Sequence, residues 1–202
     1  AAVRLTVTRG EGPLGIMPPE NPKPTVLVIA VPLTPWAESA YEKGVAVSLA
    51  PDRHPALTRA TQIKTTSFAA NVLGTLHRRR EKTEEVIFLN ERGTVSEGAV
   101  SNIFIVSGGY VMTPFENDGL LPGVTRDIVL RLCESLFIPL ARKSIAAPEL
   151  WGAQECFLTG STKEILPVTR VDEHRVGDGT VGPVTKKIIQ AYRELVSQET
   201  SR

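Results

Sequence analysis

Histidine is too scarce in this chain to build a site from. His54, His77 and His174 are the three present, and none stands in a Ser-His-Asp arrangement or at a zinc spacing. Cysteine is nearly missing as well. Cys133 and Cys156 have no metal-ligand spacing and sit among apolar neighbours, so they read as buried thiols. Asp52, Asp118, Asp127 and Glu134 are no better arranged, and no metal is expected. An excess of one charge is also lacking. The net charge of +1 gives no reason to expect nucleic acid or an acidic surface as a partner. Arg78-Arg79-Arg80 is diluted by Glu81, Glu84 and Glu85 and reads as the solvated end of a helix. There is no leader-like segment and no apolar run of membrane-spanning length, so a cytoplasmic protein without a membrane partner is expected. Repeats and low-complexity stretches are absent too.

What is present is ordinary globular composition, 42% hydrophobic and 22% charged, over a length that can bury a sizeable core. Residues 3–8 alternate as a strand with no cap before them, as if the chain were entered partway through a fold. The run over 25–31 is almost wholly β-branched and predicts a buried strand. Further strands are predicted over 44–50, 86–89, 103–106, 110–112, 155–159 and 165–168. Helices are predicted over 66–80, from 126 to about 137, over 148–151 and over 182–197. Residues 51–55 read as a turn and 95–102 as a polar link. The frequent proline and glycine punctuation in the first part of the chain suggests a curved, mostly β unit, not tandem βαβ repeats.

One lysine stands apart. Lys64 lies in Ile63-Lys64-Thr65-Thr66-Ser67-Phe68-Ala69-Ala70-Asn71-Val72-Leu73, and the next charged residue is Arg78. Phe68, Val72, Leu73 and Leu76 recur at helical spacing. A lysine opening such a helix loses hydration, which favours the neutral amine that Schiff-base chemistry needs. The plainer reading is a snorkelling side chain at a helix start, so the case rests on what accompanies it.

Three glycine-bearing segments have the composition of anion cradles. Pro122-Gly123-Val124-Thr125 and Gly182-Pro183-Val184-Thr185 each put free N–H groups and a threonine at a helix start. Gly160-Ser161-Thr162 puts two hydroxyls and a nest of N–H groups after a strand. Singly each is ordinary capping, and none matches a GxGxxG or a P-loop. Two of them converging on a phosphate would make a Schiff-base lysine chemically sensible, and that combination implies pyridoxal phosphate. Glu97, in Ser96-Glu97-Gly98, could then keep the pyridine nitrogen protonated. Alone it reads sooner as a surface or capping carboxylate.

The order of the segments carries a resemblance. Lys64-Thr65-Thr66-Ser67-Phe68 with Asn71-Val72-Leu73 is followed by Val95-Ser96-Glu97-Gly98-Ala99-Val100-Ser101-Asn102-Ile103-Phe104. Then come Leu121-Pro122-Gly123-Val124-Thr125-Arg126, the run from Phe157 to Val168 and Gly182-Pro183-Val184-Thr185. This series resembles the class-IV, fold-type IV pyridoxal phosphate enzymes. That family includes branched-chain and D-amino acid aminotransferases and aminodeoxychorismate lyases.

The resemblance implies an α/β (α+β) class. The chain, 1–202, would be the large C-terminal cofactor domain, a curved mixed β-structure flanked by helices, with 50–60 as a linking segment. The family's small N-terminal domain, which supplies a phosphate-binding arginine, would be missing from it. By matching positions, Lys64 would be the catalytic, cofactor-bearing lysine and Glu97 the pyridine-nitrogen partner. Val124, Thr125 and Ser161 would hold the phosphate of pyridoxal 5′-phosphate, and Ser161 and Thr162 would face the substrate carboxylate. Phe68 stands where many of the aminotransferases have tyrosine, so that hydroxyl contact with the cofactor is lost. The activity implied is transamination between an amino acid and a 2-oxo acid, by a homodimer. Release of pyruvate and 4-aminobenzoate from aminodeoxychorismate is the second reading, and a silent interaction domain the third.

Overall fold

The computed structural model describes residues 1–56 and 61–201. Residues 1–35 and the chain from Trp36 onward form two compact units. In the first, β1 (Ala2–Thr8) pairs antiparallel with β2 (Thr25–Val31), Ala2 opposite Val31 and Thr8 opposite Thr25. Arg9 gathers the connecting loop by donating to the Met17 and Gly15 carbonyls at 3.0 and 3.3 Å. The strand expected to be buried over 25–31 is therefore a strand, but all seven of its residues are exposed. β-branched content makes a strand, whereas burial needs a second layer, and a two-stranded ribbon has none of its own.

The second unit is built on one mixed sheet. Its strands are β3 (Val45–His54), β4 (Glu85–Asn90), β5 (Val95–Gly98), β6 (Asn102–Ser107), β7 (Tyr110–Thr113), β8 (Leu140–Arg142), β9 (Glu155–Gly160), β10 (Glu164–Val171) and β11 (His174–Arg175). The order across it is β5-β4-β3-β10-β9-β6-β7-β8, with β11 paired to β10. β3 runs parallel to both its neighbours, β4 and β10, and most other pairs are antiparallel. Register shifts in β3/β4, β3/β10 and β4/β5 insert irregularities, which bend strands and curve the sheet. The predicted α/β class with a curved mixed sheet and flanking helices is the architecture found.

Both faces of the sheet are covered. Ile103 and Ile105 of β6 enter one core with Leu158 of β9, while Phe104 and Val106 enter another with Phe157. Consecutive residues on a strand point to opposite faces, so a strand buried on both reads as a continuous apolar run. On the first face lie α1 (Glu38–Lys43) and α4 (Ala147–Trp151), through Tyr41, Ala147 and Leu150. On the second lie α3 (Val124–Ser135) and α5 (Pro183–Thr200), whose Val129, Leu130, Cys133, Ile188 and Tyr192 surround the stacked Phe104 and Phe157 rings.

α2 (Ala69–Glu81) lies on the path from β3 to β4. Gly74 brings it close to the sheet. A Cβ there would stand 2.7 Å from Phe88 and 2.8 Å from Val86. The opposite face of α2 is open, with Val72, Leu73 and Leu76 at 54%, 57% and 46% exposure. The segment expected to link domains, 50–60, is strand as far as His54 and buried at Ala56. Residues 57–60 of it lie outside the described residues. The boundary between the two compact units falls between Pro35 and Trp36. The polar link expected over 95–102 is in fact β5, a tight turn, and the start of β6. Among the described residues no helix is long and apolar enough to cross a membrane.

Candidate active site

A cleft of about 500 Å³ opens where β5, β6 and β9 end or begin. Lys64, Phe68, Glu97, Val124, Thr125 and Ser161 all line it. Sequence positions almost a hundred residues apart are thus brought to one place by the sheet order. Thr162 sits beside Ser161 at an exposed turn and is not among the lining residues.

Lys64 is not the first residue of a helix. α2 begins at Ala69, with Phe68 as its N-cap, and Lys64 lies in the preceding connection. The loss of hydration expected for it does not occur here, because Lys64 is exposed. Its apolar neighbours on α2 turn outward and give it no cover. Phe68 is partly open at the mouth of the cleft and brings a ring without a hydroxyl.

Glu97 is on β5 and is mostly enclosed. Its Oε2 accepts from the Leu121 N–H at 2.9 Å and the Asn102 amide at 3.3 Å. Burial pushes its carboxyl up to about 8, against the Leu121 hydrogen bond and the positive charges of Lys64 and Arg126. A carboxylate displaced so far, in a cleft, is a functional-site candidate. Asn102 also donates to the Leu121 carbonyl at 2.8 Å and ties β6 to the loop that enters α3.

The two glycine-led helix starts behave differently. At α5 the cradle is already filled. The Glu155 carboxylate accepts from the Val184 and Thr185 N–H groups at 3.0 and 2.7 Å and from the Thr185 hydroxyl at 2.7 Å. Gly182-Pro183-Val184-Thr185 is therefore an internal cap, not an anion site. At α3 no N-cap side chain bonds the first turn, and Val124 and Thr125 open on the cleft. Gly123 is needed there, since a Cβ would fall 2.1 Å from Asn102 Oδ1. N–H groups that no side chain among the described residues caps, together with the helix dipole, make this end a receptor for negative charge.

Lining residues that escape the sequence reading as site candidates include His54, Asn71, Asn102 and Thr159. Thr159 Oγ1 is buried with no hydrogen-bond partner among the described residues. Burial lowers the His54 imidazole, opposed by a backbone hydrogen bond at Gly119. Asn71 on α2 donates to the Ala99 carbonyl at 2.6 Å. Asn71, Asn102 and Thr159 each stand inside a motif segment, which is the signal that could have found them, whereas His54 has none. Cys133 and Cys156 are buried, as expected, and burial raises both thiols, that of Cys133 to about 11. Among the described residues no cluster of His, Cys, Asp or Glu could hold a metal ion.

The arrangement has counterparts. The amino-transferase class IV family matches residues 1–171. The branched-chain-amino-acid aminotransferase of Escherichia coli K12 is 32% identical over 207 residues, covering 99% of this chain and 66% of its own length. The chain thus spans about two thirds of that relative. The crystal structure of the Escherichia coli branched-chain enzyme superposes with a TM-score of 0.90 at 33% identity, covering 96% of this chain and 64% of its own. The 4-amino-4-deoxychorismate lyase of Pseudomonas aeruginosa superposes with a TM-score of 0.88 at 29% identity, over 95% of this chain and 70% of its own. Another branched-chain aminotransferase, solved with pyridoxamine 5′-phosphate, gives 0.87 at 29% identity, over 95% and 64%. With its motifs in order, its sheet matched and its residues 1–171 covered, this chain belongs to the class-IV, fold-type IV pyridoxal phosphate aminotransferase family.

Proposed function

We propose that the chain is the cofactor-holding part of a pyridoxal 5′-phosphate enzyme that moves an amino group between an amino acid and a 2-oxo acid. The observation that carries this reading is the contrast between α5, whose N-terminus Glu155 fills, and α3, whose N-terminus opens beside Lys64 and Glu97. An anion cradle, an enclosed carboxylate and a lysine in one cleft fit the phosphate, the ring nitrogen and the reactive carbon of that cofactor. The orphaned Thr159 hydroxyl adds a polar atom in need of a partner.

Val124 and Thr125 would hold the phosphate through backbone N–H groups, and Ser161 would add its hydroxyl. Glu97 would hold positive charge on the ring nitrogen. When bound, the cofactor supplies an electron sink for charge developing at the substrate α-carbon. Lys64 would bear the cofactor and carry the α-proton on its Nζ. Ser161 and Thr162 would receive the substrate carboxylate and so orient the α-hydrogen toward Lys64.

Transamination is preferred over lyase action on the segment nearest that carboxylate. Gly160-Ser161-Thr162-Lys163-Glu164-Ile165, whose first two residues line the cleft, resembles the aminotransferases. The lyase structure, almost equally superposable, keeps elimination of pyruvate as the second reading. Purified protein should convert its cofactor to the amine form with L-leucine, L-glutamate or D-alanine, each tried separately. Addition of 2-oxoglutarate should restore the starting spectrum. Pyruvate released from aminodeoxychorismate, without such cycling, would decide for the lyase, and failure to take up any cofactor would leave the silent interaction domain.

The partner proposed is a second copy of the chain. The open stripe of Val72, Leu73 and Leu76 on α2 is the apolar surface that supports a homodimer. Leu73→Glu with Leu76→Glu should halve the mass seen by light scattering. An unchanged mass would move the interface elsewhere, and a monomeric wild type would remove it.

A further inference from the structure

Lys163 stands between the polar residues Thr162 and Glu164, yet it is 4% exposed, and its partner Glu85 is 2% exposed. Lys163 Nζ meets Glu85 Oε2 at 2.5 Å. The Ser101 hydroxyl donates to the same oxygen at 3.0 Å, and the Val86 N–H donates to Oε1 at 3.1 Å. The lysine's own carbonyl accepts from the Tyr41 hydroxyl at 3.3 Å. Removing two charges from water is a poor way to gain stability, because well-packed apolar residues do as well or better. A buried pair of this kind is better understood through what it joins.

It joins the two turns that flank the cleft. Lys163 closes the turn that displays Ser161 and Thr162, with its N–H donating to the Gly160 carbonyl at 3.2 Å. Ser101 closes the turn that directly follows Glu97, where the Gly98 N–H donates to the Ser101 carbonyl at 2.7 Å. The fit on both sides is close. A Cβ on Gly98 would stand 2.2 Å from Ser101 Oγ and 3.2 Å from Glu85 Cγ. A Cβ on Gly160 would stand 3.3 Å from Lys163 Cγ and 3.3 Å from the Val100 carbonyl.

We propose that Lys163, Glu85 and Ser101 form a buried strut that fixes the separation between Glu97 and the Ser161–Thr162 turn. They are positioning residues. In the catalytic sense this rests on the function proposed above, because those two points are the ring-nitrogen and carboxylate ends of that site. An ammonium and a hydroxyl sharing one carboxylate resist sliding better than an apolar contact, since their geometry is directional. Displacements of about 1 Å at a reacting centre cost as much as about 10²-fold in rate.

The test is the double variant Lys163→Met with Glu85→Leu, which removes both charges together and strands neither. Hydrogen exchange on the cofactor-free chain should show lost protection at the Gly98 and Lys163 amides while the β6 and β9 amides keep theirs. The loaded protein should show weaker visible circular dichroism from its cofactor and a half-reaction slower by on the order of 10–100-fold. Lys163→Arg, which keeps the charge and the donors, should restore most of both. If the double variant does not fold, Ser101→Ala gives the same reading in milder form, with protection lost at Gly98 alone. Wild-type exchange at Gly98 and Lys163 in either variant would overturn the strut. Wild-type protein that takes up no cofactor would overturn the functional reading but leave the exchange result to decide the strut.

Discussion

Lys64→Ala should lower turnover by about 10²–10⁴-fold or more, the scale of a lost proton-transfer group, with the fold intact. The expectation of an intact fold comes from position. Lys64 is exposed and precedes α2, so truncating it opens no cavity, and among the described residues it makes no hydrogen bond. Binding of the phosphate should persist, because Val124, Thr125 and Ser161 are untouched. Borohydride reduction of the wild type, followed by peptide mapping, should fix the cofactor to Lys64, and the variant should retain none covalently. An adduct on Lys163 would be surprising in a folded chain, since that ammonium is enclosed against Glu85. Finding one there or on Lys186, or undiminished turnover in the variant, would remove Lys64 from its role.

Glu97→Gln should have two separable effects. In the loaded protein the ring nitrogen loses its counter-charge, and single-turnover rates should fall by about 10²–10⁴-fold. The amide oxygen can still accept from Leu121 and Asn102, so the local structure should hold. In the cofactor-free protein the effect is on stability. The Glu97 carboxyl titrates near 8 when folded and at an ordinary 4.5 when unfolded. Between those values the folded state holds a proton that the unfolded state has released. Stability from this group is therefore complete below about pH 4.5 and declines as pH rises through 8. Across the window the decline is on the order of 5 kcal/mol, at about 1.4 kcal/mol per pH unit. The glutamine variant should lack it and melt higher than the wild type above pH 8. Parallel melting profiles for the two proteins from pH 5 to 9 would show that Glu97 is not the group responsible.

The sequence discloses local structure well and through-space partnership poorly. Gly93 and Gly108-Gly109 read as turn glycines, and all three have positive φ. The β-branched run at 25–31 gives a strand but not its exposure, because a strand's layer lies elsewhere in the chain. Lys64, Glu97, Val124, Thr125 and Ser161 are identified through motif order, and the cleft brings them together. The third cradle, at Gly182, is indistinguishable from the other two in composition. Only the fold places Glu155, twenty-seven residues earlier, on its N–H groups. The buried Lys163 is hidden for the same reason. Its neighbours Ser161, Thr162 and Glu164 are polar, and the carboxylate that draws it inward sits on β4. Lys64 errs in the other direction. Small apolar neighbours promise shelter, but they belong to a helix that turns its apolar side outward.

The place of β3 between β4 and β10 also governs the order in which the sheet can assemble. Val45 and Val47 pair with Val168 and Val171, so one side of β3 stays an open edge until residue 171 has left the ribosome. The β6–β7 ribbon needs only its own two-glycine turn and can form early. Contacts of such wide sequence separation close slowly, because loop entropy must be lost before they reward it. An apolar parallel strand waiting for a distant partner is a template for wrong pairings in the interval. Sheet closure by β10 is thus the late step of synthesis, and the cleft, whose Ser161 turn joins β9 to β10, comes into being with it.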